Sequence, residues 1–252
     1  MNIHSLINNQ FNGAIWRMEI DELSDTLFLE IRNTAEKQVS FAAVSLTTGE
    51  IYFEDLITPE RWLCGIEAAY DGVLLLHYYQ SETGPTHKGL MAVDGHTGET
   101  LWSNFAYAVD YLSVNGPMVY DTRIQPRKLF SADIKTGATT RIDNPSVYRE
   151  LTNQIIAPQL TNTEILQEKG IFLDGHVNMA HYLEYNNLRI VSLHALKNDL
   201  LTQSLHIFDG THPVYEDLLN EKIQKIQPEA FIMHKGRLIY IKNKSLLKVL
   251  TL

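Results

Sequence analysis

The chain has 252 residues, 44% of them apolar and 20% charged, with a formal net charge of −9 and a pI of about 5.5. That composition is ordinary for a globular chain with a sizeable core and argues against global disorder. The acidic balance argues against a general nucleic-acid binder, which needs a basic surface for phosphate contacts.

The single cysteine, Cys64, allows no disulfide framework within the chain and fits a reducing compartment. The first residues, MNIHSLINNQFNGAIW, have no basic region followed by an apolar one, so no secretory signal is read there. The longest apolar run, around Val73–Leu76, is too short to span a bilayer. A cytoplasmic chain with no membrane partner is expected.

Taken in order, the first unit runs from about Ala14 to Asp55, with AIWRMEIDE as its inner strand, SDTLFLEI as a buried strand and FAAVSLTTGEIYFED as a hairpin. Thr58-Pro59-Glu60 predicts a capped helical turn, with Thr at the cap and Pro behind it. The second unit, about Trp62 to Asn104, carries YDGVLLLHYY and LMAVDGHTGETLWSN. The third, about Phe105 to Asp143, carries VNGPMVYD and FSADIKTGATTRIDN. Residues 144–175 break the pattern. Val147, Tyr148, Leu151 and Ile155 have helical spacing after Asn144-Pro145, and Thr163–Lys169 forms a second turn closed by Gly170. This stretch reads as a partly helical insertion, with a decayed blade as the alternative. Long irregular segments of this kind are often functional.

Strands resume with HVNMAHYLEYNN, LRIVSLHAL, LTQSLHIFDG and HPVYEDL. A short helix is predicted from Asp217 to Ile226, ended by Pro228. The last unit, AFIMHKG, RLIYIKNK and SLLKVLTL, has three strands only. Residues Ile3 to Asn9 would supply the fourth, joining the two ends of the chain and removing open sheet edges.

Gly49, Gly98 and Gly137 end three similar Thr-Gly steps spaced by some forty to fifty residues, a period typical of propellers and other repeat arrays. Each step follows an alternating run, with the alanine read at the same offset in all three, and precedes a short returning strand. The fold class read from this is all-β, a β-propeller of five or six four-stranded blades in a single domain over residues 1–252.

The stretch LMAVDGHTGETLW resembles the PQQ-like, quinoprotein-type propeller repeat through Ala92, Asp94, Thr97, Gly98 and Trp102. Ala43, Thr48 and Gly49 match in the first unit, with Ser45 in place of Asp and Phe53 in place of Trp. Ala132, Thr136 and Gly137 match in the third, with Asp133 one place early and Arg141 at the Trp position. The chain is also similar to bacterial propeller-like families known only as domains of unknown function. Quinoprotein dehydrogenases are exported, larger eight-bladed rings that hold calcium and quinone and often use an adjacent cysteine pair. The resemblance therefore implies the fold and not quinone-dependent oxidation, and no cofactor is expected.

No nucleotide-binding, hydrolase-elbow, zincin or C-x-x-C motif is present. Cys64, within RWLCGIEAA, reads as a buried structural thiol. His176, His181, His194, His206 and His212 crowd one region beside Asp174, Glu184 and Asp209, but their spacing matches no recognised ligand signature, so hydrogen-bonded histidines are expected there and no metal. Trp16, Trp62, Trp102, Tyr78 and Tyr79 are candidates for packing between sheets, for a ligand pocket or for a partner surface, as are Tyr107 and Tyr111 of YAVDY. Lys222, Lys225, Lys235, Arg237, Lys242, Lys244 and Lys248 crowd the end of the chain and read as solvated strand faces and edges rather than a docking patch. No catalytic, cofactor-binding or metal residue is assigned. The function expected is a non-catalytic binding module for a protein or peptide, the alternative being a small-molecule binder or enzyme with its site at the mouth of the central channel.

Overall fold

The computed structural model describes residues 3–142, 144–172 and 176–252. Strand β1 (His4–Gln10) opens the chain. The first meander is β2 (Ala14–Asp21), β3 (Thr26–Asn33), β4 (Gln38–Ser45) and β5 (Ile51–Leu56). The second is β6 (Cys64–Tyr70), β7 (Val73–Ser81), β8 (Gly84–Asp94) and β9 (Thr100–Asn104). The third is β10 (Tyr107–Ser113), β11 (Gly116–Asp121), β12 (Leu129–Ala132) and β13 (Thr139–Arg141). A five-stranded sheet follows, of β14 (Gln159–Asn162), β15 (His176–Tyr185), β16 (Leu188–Lys197), β17 (Leu200–Asp209) and β18 (His212–Ile223). The last strands, β19 (Ile232–His234), β20 (Arg237–Lys242) and β21 (Leu246–Thr251), form a sheet with β1 in the order β1-β21-β20-β19. The described residues are thus all-β, in five antiparallel sheets of four or five strands. No helix among them is long and apolar enough to cross a membrane.

The chain divides into two compact units, Asn12–Asn153 and Met1–Phe11 with Gln154–Leu252. The first holds the three meanders. The second holds the five-stranded sheet and the closing sheet, in which β1 pairs with β21 from His4↔Thr251 to Gln10↔Leu246. The N-terminal strand therefore completes the sheet that the C-terminal strands leave one short, as expected, and covers the β21 edge.

The Thr-Gly steps are one turn built three times. The side-chain oxygen of Asp94 accepts the N–H groups of His96 and Thr97, that of Asp133 accepts those of Lys135 and Thr136, and Ser45 Oγ accepts those of Thr47 and Thr48. Gly49, Gly98 and Gly137 then turn at φ of 78°, 76° and 71°, and each returns its N–H to the residue four places back. A left-handed residue is needed there, which glycine supplies at no steric cost. Counted from the glycine, Asp133 is in register with Asp94 and Ser45; Ala132 is the residue displaced by one. The fixed element is the side-chain acceptor of the turn, not the alanine.

The residue four places after the glycine has its own task. Phe53 packs on Gly98, where an added Cβ would lie 3.3 Å from its ring, and Trp102 covers Gly137, where a Cβ would come within 2.7 Å. Trp102 is fixed there by its indole N–H, which donates to the Ile134 carbonyl at 2.8 Å. Each aromatic closes onto the glycine of the following unit, so one turn and one ring join neighbouring sheets. The core between them is apolar, with Phe28, Phe41, Leu74, Leu76 and Val93 in one cluster and Leu75, Leu90, Val119 and Ile134 in another.

Three local expectations fail. Residues 217–226, predicted as a helix, lie mostly in strand β18, where Asp217 pairs with Leu205 across the sheet. Ladder hydrogen bonds and a buried partner for Asp217 override the helical spacing. Thr58-Pro59-Glu60 forms no helical turn; Thr58 Oγ1 donates to the Glu60 carbonyl at 2.8 Å within a bend. After a 3-10 turn at Pro145–Val147 the chain is extended, and Leu151 N–H donates to the Leu112 carbonyl at 2.8 Å beside β10. The one α-helix described, α1 (Thr163–Glu168), is where the second turn of the insertion was expected, capped by Asn162 and followed by Gly170 at φ 75°. Asp143 and residues 173–175, at the bounds of the third unit and the insertion, lie outside the described residues.

Candidate functional site

The first strand of each meander carries a bulge at the equivalent place. Trp16 is the extra residue between Ile15 and Arg17 in β2, Glu67 between Ile66 and Ala68 in β6, and Asp110 between Val109 and Tyr111 in β10. A bulge re-aims the side chain it carries and is common beside functional sites. Glu67 is aimed at two histidines. His77 and Tyr79 share one face of β7, and His87 on β8 lies opposite Tyr79. Gly89, at φ 72°, is the extra residue that bends β8 just beyond His87.

The His77 and His87 rings stack with centroids 3.6 Å apart and planes within 6°. Nδ1 of His77 lies 3.0 Å, and Nδ1 of His87 2.9 Å, from the same Glu67 oxygen, Oε2. Tyr79 stands edge-on to both rings, at 4.6 and 5.3 Å. His77 is 2% exposed, while the Glu67 and His87 side chains are 14% and 34% exposed. The His77 contact with Glu67 is too poorly aligned for a hydrogen bond, and neither ring nitrogen of His77 has a hydrogen-bond partner among the described residues.

Burial works to raise the Glu67 carboxyl, but the contacts and charge of His77 and then His87 outweigh it and hold it below the usual range. Burial, then the His77 ring, pushes His87 below the usual imidazole range against the pull of Glu67. His87 is therefore neutral at neutral pH and keeps a lone pair. Glu19 is raised, chiefly by burial, despite Arg17 beside it.

Around this cluster the backbone is strapped by charge. Arg17 donates to the Ile66 carbonyl at 2.8 Å and pairs with Glu19 at 3.3 Å. Buried Glu30 accepts the Ile66 N–H at 2.9 Å on one oxygen and Arg32 Nε at 2.7 Å on the other. Between Glu30 and His77 sits Gly65, where a Cβ would meet Glu30 Oε2 at 2.9 Å and His77 Nε2 at 3.2 Å. Only glycine lets the two approach. The Arg32 guanidinium also lies over the rings of Trp16 and Trp62, at 5.5 and 5.3 Å, and Trp16 is 70% exposed. Two imidazoles and a carboxylate from three adjacent strands can hold a divalent metal or share protons; the Trp–Arg–Trp stack beside them can hold a partner side chain.

The residues singled out by sequence fall elsewhere. Cys64 is buried, its thiol bonded to the Glu60 carbonyl at 3.0 Å and pushed up to about 11, mainly by burial. It is a structural thiol. His181 Nε2 contacts the Pro228 carbonyl at 3.0 Å, and His194 Nε2 accepts the Gln227 N–H at 3.1 Å, so the two hold Gln227 and Pro228 against the sheet. His206 Nε2 contacts Ser204 Oγ at 2.8 Å. Among the described residues, neither these nor His212, Glu184 or Asp209 group as metal ligands; Asp174 and the side chain of His176 lie outside them. Tyr107 and Tyr111 are packing residues, Tyr111 donating to the Tyr148 carbonyl at 3.0 Å. Tyr78 stacks on Phe105 at 5.7 Å. Of the C-terminal lysines, Lys242 and Lys248 turn inward onto Asp217, at 2.5 and 2.8 Å. A concavity of about 350 Å³, lined by Ser24, Thr26, Asp71, Asp94, His96 and Lys135 among others, is floored by turn residues. Asp94 there is committed to its turn and Asp71 to an ion pair with Lys135 at 2.7 Å.

Sequence reasoning missed Glu67, His77 and His87. The usable signal was the hairpin around Glu82-Thr83, which puts the histidine of THKG opposite Tyr79 of HYYQ, on the same face as His77 two residues away.

Residues 20–102, which include Glu67, His77 and His87, match a family model described as a domain of unknown function (DUF4905). No curated protein matches the chain. Among solved structures, the chain is similar to the β-propeller domain of the Trilobed protease from Pyrococcus furiosus, at 10% identity and TM-score 0.32, covering 94% of this chain and 64% of that one. It is similar to Pyrococcus horikoshii acylaminoacyl peptidase at 11% identity and TM-score 0.32, covering 90% of this chain and 34% of that one. It is also similar to a member of the DUF4221 family from Bacteroides vulgatus, at 10% identity and TM-score 0.33, covering 99% and 97%. The chain thus spans less than two thirds of both Pyrococcus chains.

Proposed function

We propose that this chain is a non-catalytic binding module of the β-propeller type, its five sheets serving as blades with PQQ-like turns, and that it takes up a protein or peptide segment. The carrying observation is the Trp16–Arg32–Trp62 stack. Trp16 exposes a large ring at a bulge, and Arg32 beside it is already fixed by Glu30 and the Cys64 carbonyl. A rigid aromatic–arginine surface loses little freedom on binding, and Trp and Arg dominate the energetics of interfaces. The acidic chain favours a protein surface over nucleic acid as the partner.

Truncating such an anchor removes about 2 kcal/mol or more of binding, roughly thirtyfold in affinity. The test is retention of proteins from the source cells by the immobilised chain and by its Trp16→Ala variant, with unfolding curves run in parallel. A discrete partner lost with the variant supports the proposal. An identical set of retained proteins from two equally stable chains refutes it. The alternative, a small-molecule or catalytic site, is favoured by one observation, the buried histidine and its carboxylate partner.

A further inference from the structure

We propose that Glu67, His77 and His87 bind one divalent transition-metal ion, with Zn²⁺ the best match to the donor set. The inference is independent of the binding role above. One donor atom from each residue lies within 4.8 Å of the other two. Zinc takes imidazole nitrogen and carboxylate oxygen at about 2.0–2.2 Å, so donors on a tetrahedron stand roughly 3.3 Å apart. Glu67 Oε2 already lies 3.0 and 2.9 Å from the two Nδ1 atoms. Closing that difference asks for a few tenths of an ångström.

The second observation is His77 itself. It is 2% exposed, with neither ring nitrogen hydrogen-bonded among the described residues. The contact of Nδ1 with Glu67 is not aligned as a hydrogen bond, so the buried ring leaves bonding capacity unused, and a metal bond to that nitrogen would use it. Its Nε2 edge faces the Gly65 backbone, beyond which stands the Glu30 carboxylate. That leaves Nδ1, on the Glu67 side, as the ligating atom.

Charge agrees with a cation. Glu19, Glu30 and Glu67 stand against Arg17 and Arg32, three negative groups to two positive, so the site is net negative before any ion enters. His87 and Glu67 are partly exposed, so three protein ligands leave a coordination position open to water or to a small ligand.

The geometry sets one condition. An imidazole lone pair lies in its ring plane, and two rings stacked within 6° cannot both point at one ion. Binding must open the stack. His77 is locked by burial, so His87 is the ring that swings, and Gly89 two residues on gives β8 the bend to allow it.

The test uses the full chain without a histidine tag, stripped with chelator and titrated with Zn²⁺ by calorimetry and with Co²⁺ by visible absorption. One ion per chain is expected, with a Co²⁺ spectrum of low coordination number and a rise in melting temperature. His87→Ala, on the solvent side, and the isosteric Glu67→Gln should each weaken binding at least tenfold while leaving the metal-free melting temperature close to the parent. Uptake of no stoichiometric ion at micromolar concentration overturns the proposal and leaves Glu67 as a shared proton acceptor for two imidazoles. Unchanged affinity in both variants also overturns it, because the ion then sits elsewhere, as among the histidines of β15–β17.

Discussion

Replacing Gly137 by Ala tests the link between the turn and the aromatic of the preceding unit. Two effects add. An L-residue at φ 71° costs about 1–2 kcal/mol. The new methyl would stand 2.7 Å from Trp102 Cδ2, well inside contact distance, and the indole is tied by its N–H to the Ile134 carbonyl at 2.8 Å, so it cannot retreat without losing that bond. Overpacking of this kind adds about 1–3 kcal/mol. The expected loss is about 2–5 kcal/mol. Gly72→Ala in the preceding unit isolates the backbone part, since Gly72 has φ 76° and nothing within 4 Å of its added Cβ, and should lose only about 1–2 kcal/mol. Gly98→Ala, with the Phe53 ring at 3.3 Å, should fall between. Urea unfolding followed by circular dichroism gives the three losses. A Trp102→Leu background should recover the packing part at Gly137 and leave Gly72→Ala unchanged. Equal losses at Gly137 and Gly72, or no recovery in that background, would refute the packing account.

Asp217→Leu removes the acceptor of Lys242, Lys248 and Tyr240, leaving two largely buried ammonium groups unpaired, and should destabilise by about 3–5 kcal/mol in a urea melt. Burial works to raise Asp217, but those bonds together hold it below its ordinary value, so its contribution is complete above about pH 4 and fades as pH falls through the folded value; the gap between parent and variant should shrink only in strong acid. His194 is depressed by burial and then by the charge of His181, so its contribution is present above about pH 6.5 and is lost on acidification. Protonation removes the acceptor of the Gln227 N–H, and hydrogen exchange at Gln227, corrected for its intrinsic rate, should quicken as pH falls through the lowered folded value; a flat profile counts against the tether. Deleting residues 1–11 uncovers the β21 edge and should give a chain that associates more than the parent by light scattering; unchanged scattering with an unchanged melt would show that β1 is dispensable.

The first three sheets and the closing strand were legible in the sequence because each rests on a local rule. Asp94 and Asp133 announce a turn that their own side chains build, and the three-strand ending called for a partner that His4–Gln10 supplies. Where the rules competed, local spacing lost. Residues 217–223 have helical apolar spacing, yet β17 offers a ladder and β20 and β21 offer Lys242 and Lys248 to Asp217, and those contacts lie about twenty to thirty residues further on. The histidine-rich stretch drew attention by density alone. Its members are 13 and 12 residues apart at His181, His194 and His206, and the fold uses the first two to hold the backbone of Gln227 and Pro228.

The candidate site was hidden for a different reason. A repeat is recognised by what recurs, and what recurs here is the turn acceptor, the glycine and the ring that closes on it. The bulged position also recurs, but its occupants are Trp16, Glu67 and Asp110, which share no chemistry. Pairing must tolerate the extra residue whatever its side chain, so the bulge is the place where a unit can change its chemistry without loosening its sheet. Glu67 meets His77 and His87 because its sheet alone, among these three, carries histidines on the next two strands. Asp110 instead meets Arg127 at 2.6 Å, and Trp16 meets Arg32. Function in such a chain is written in the difference between units, and the search for it begins at the position the repeat leaves free.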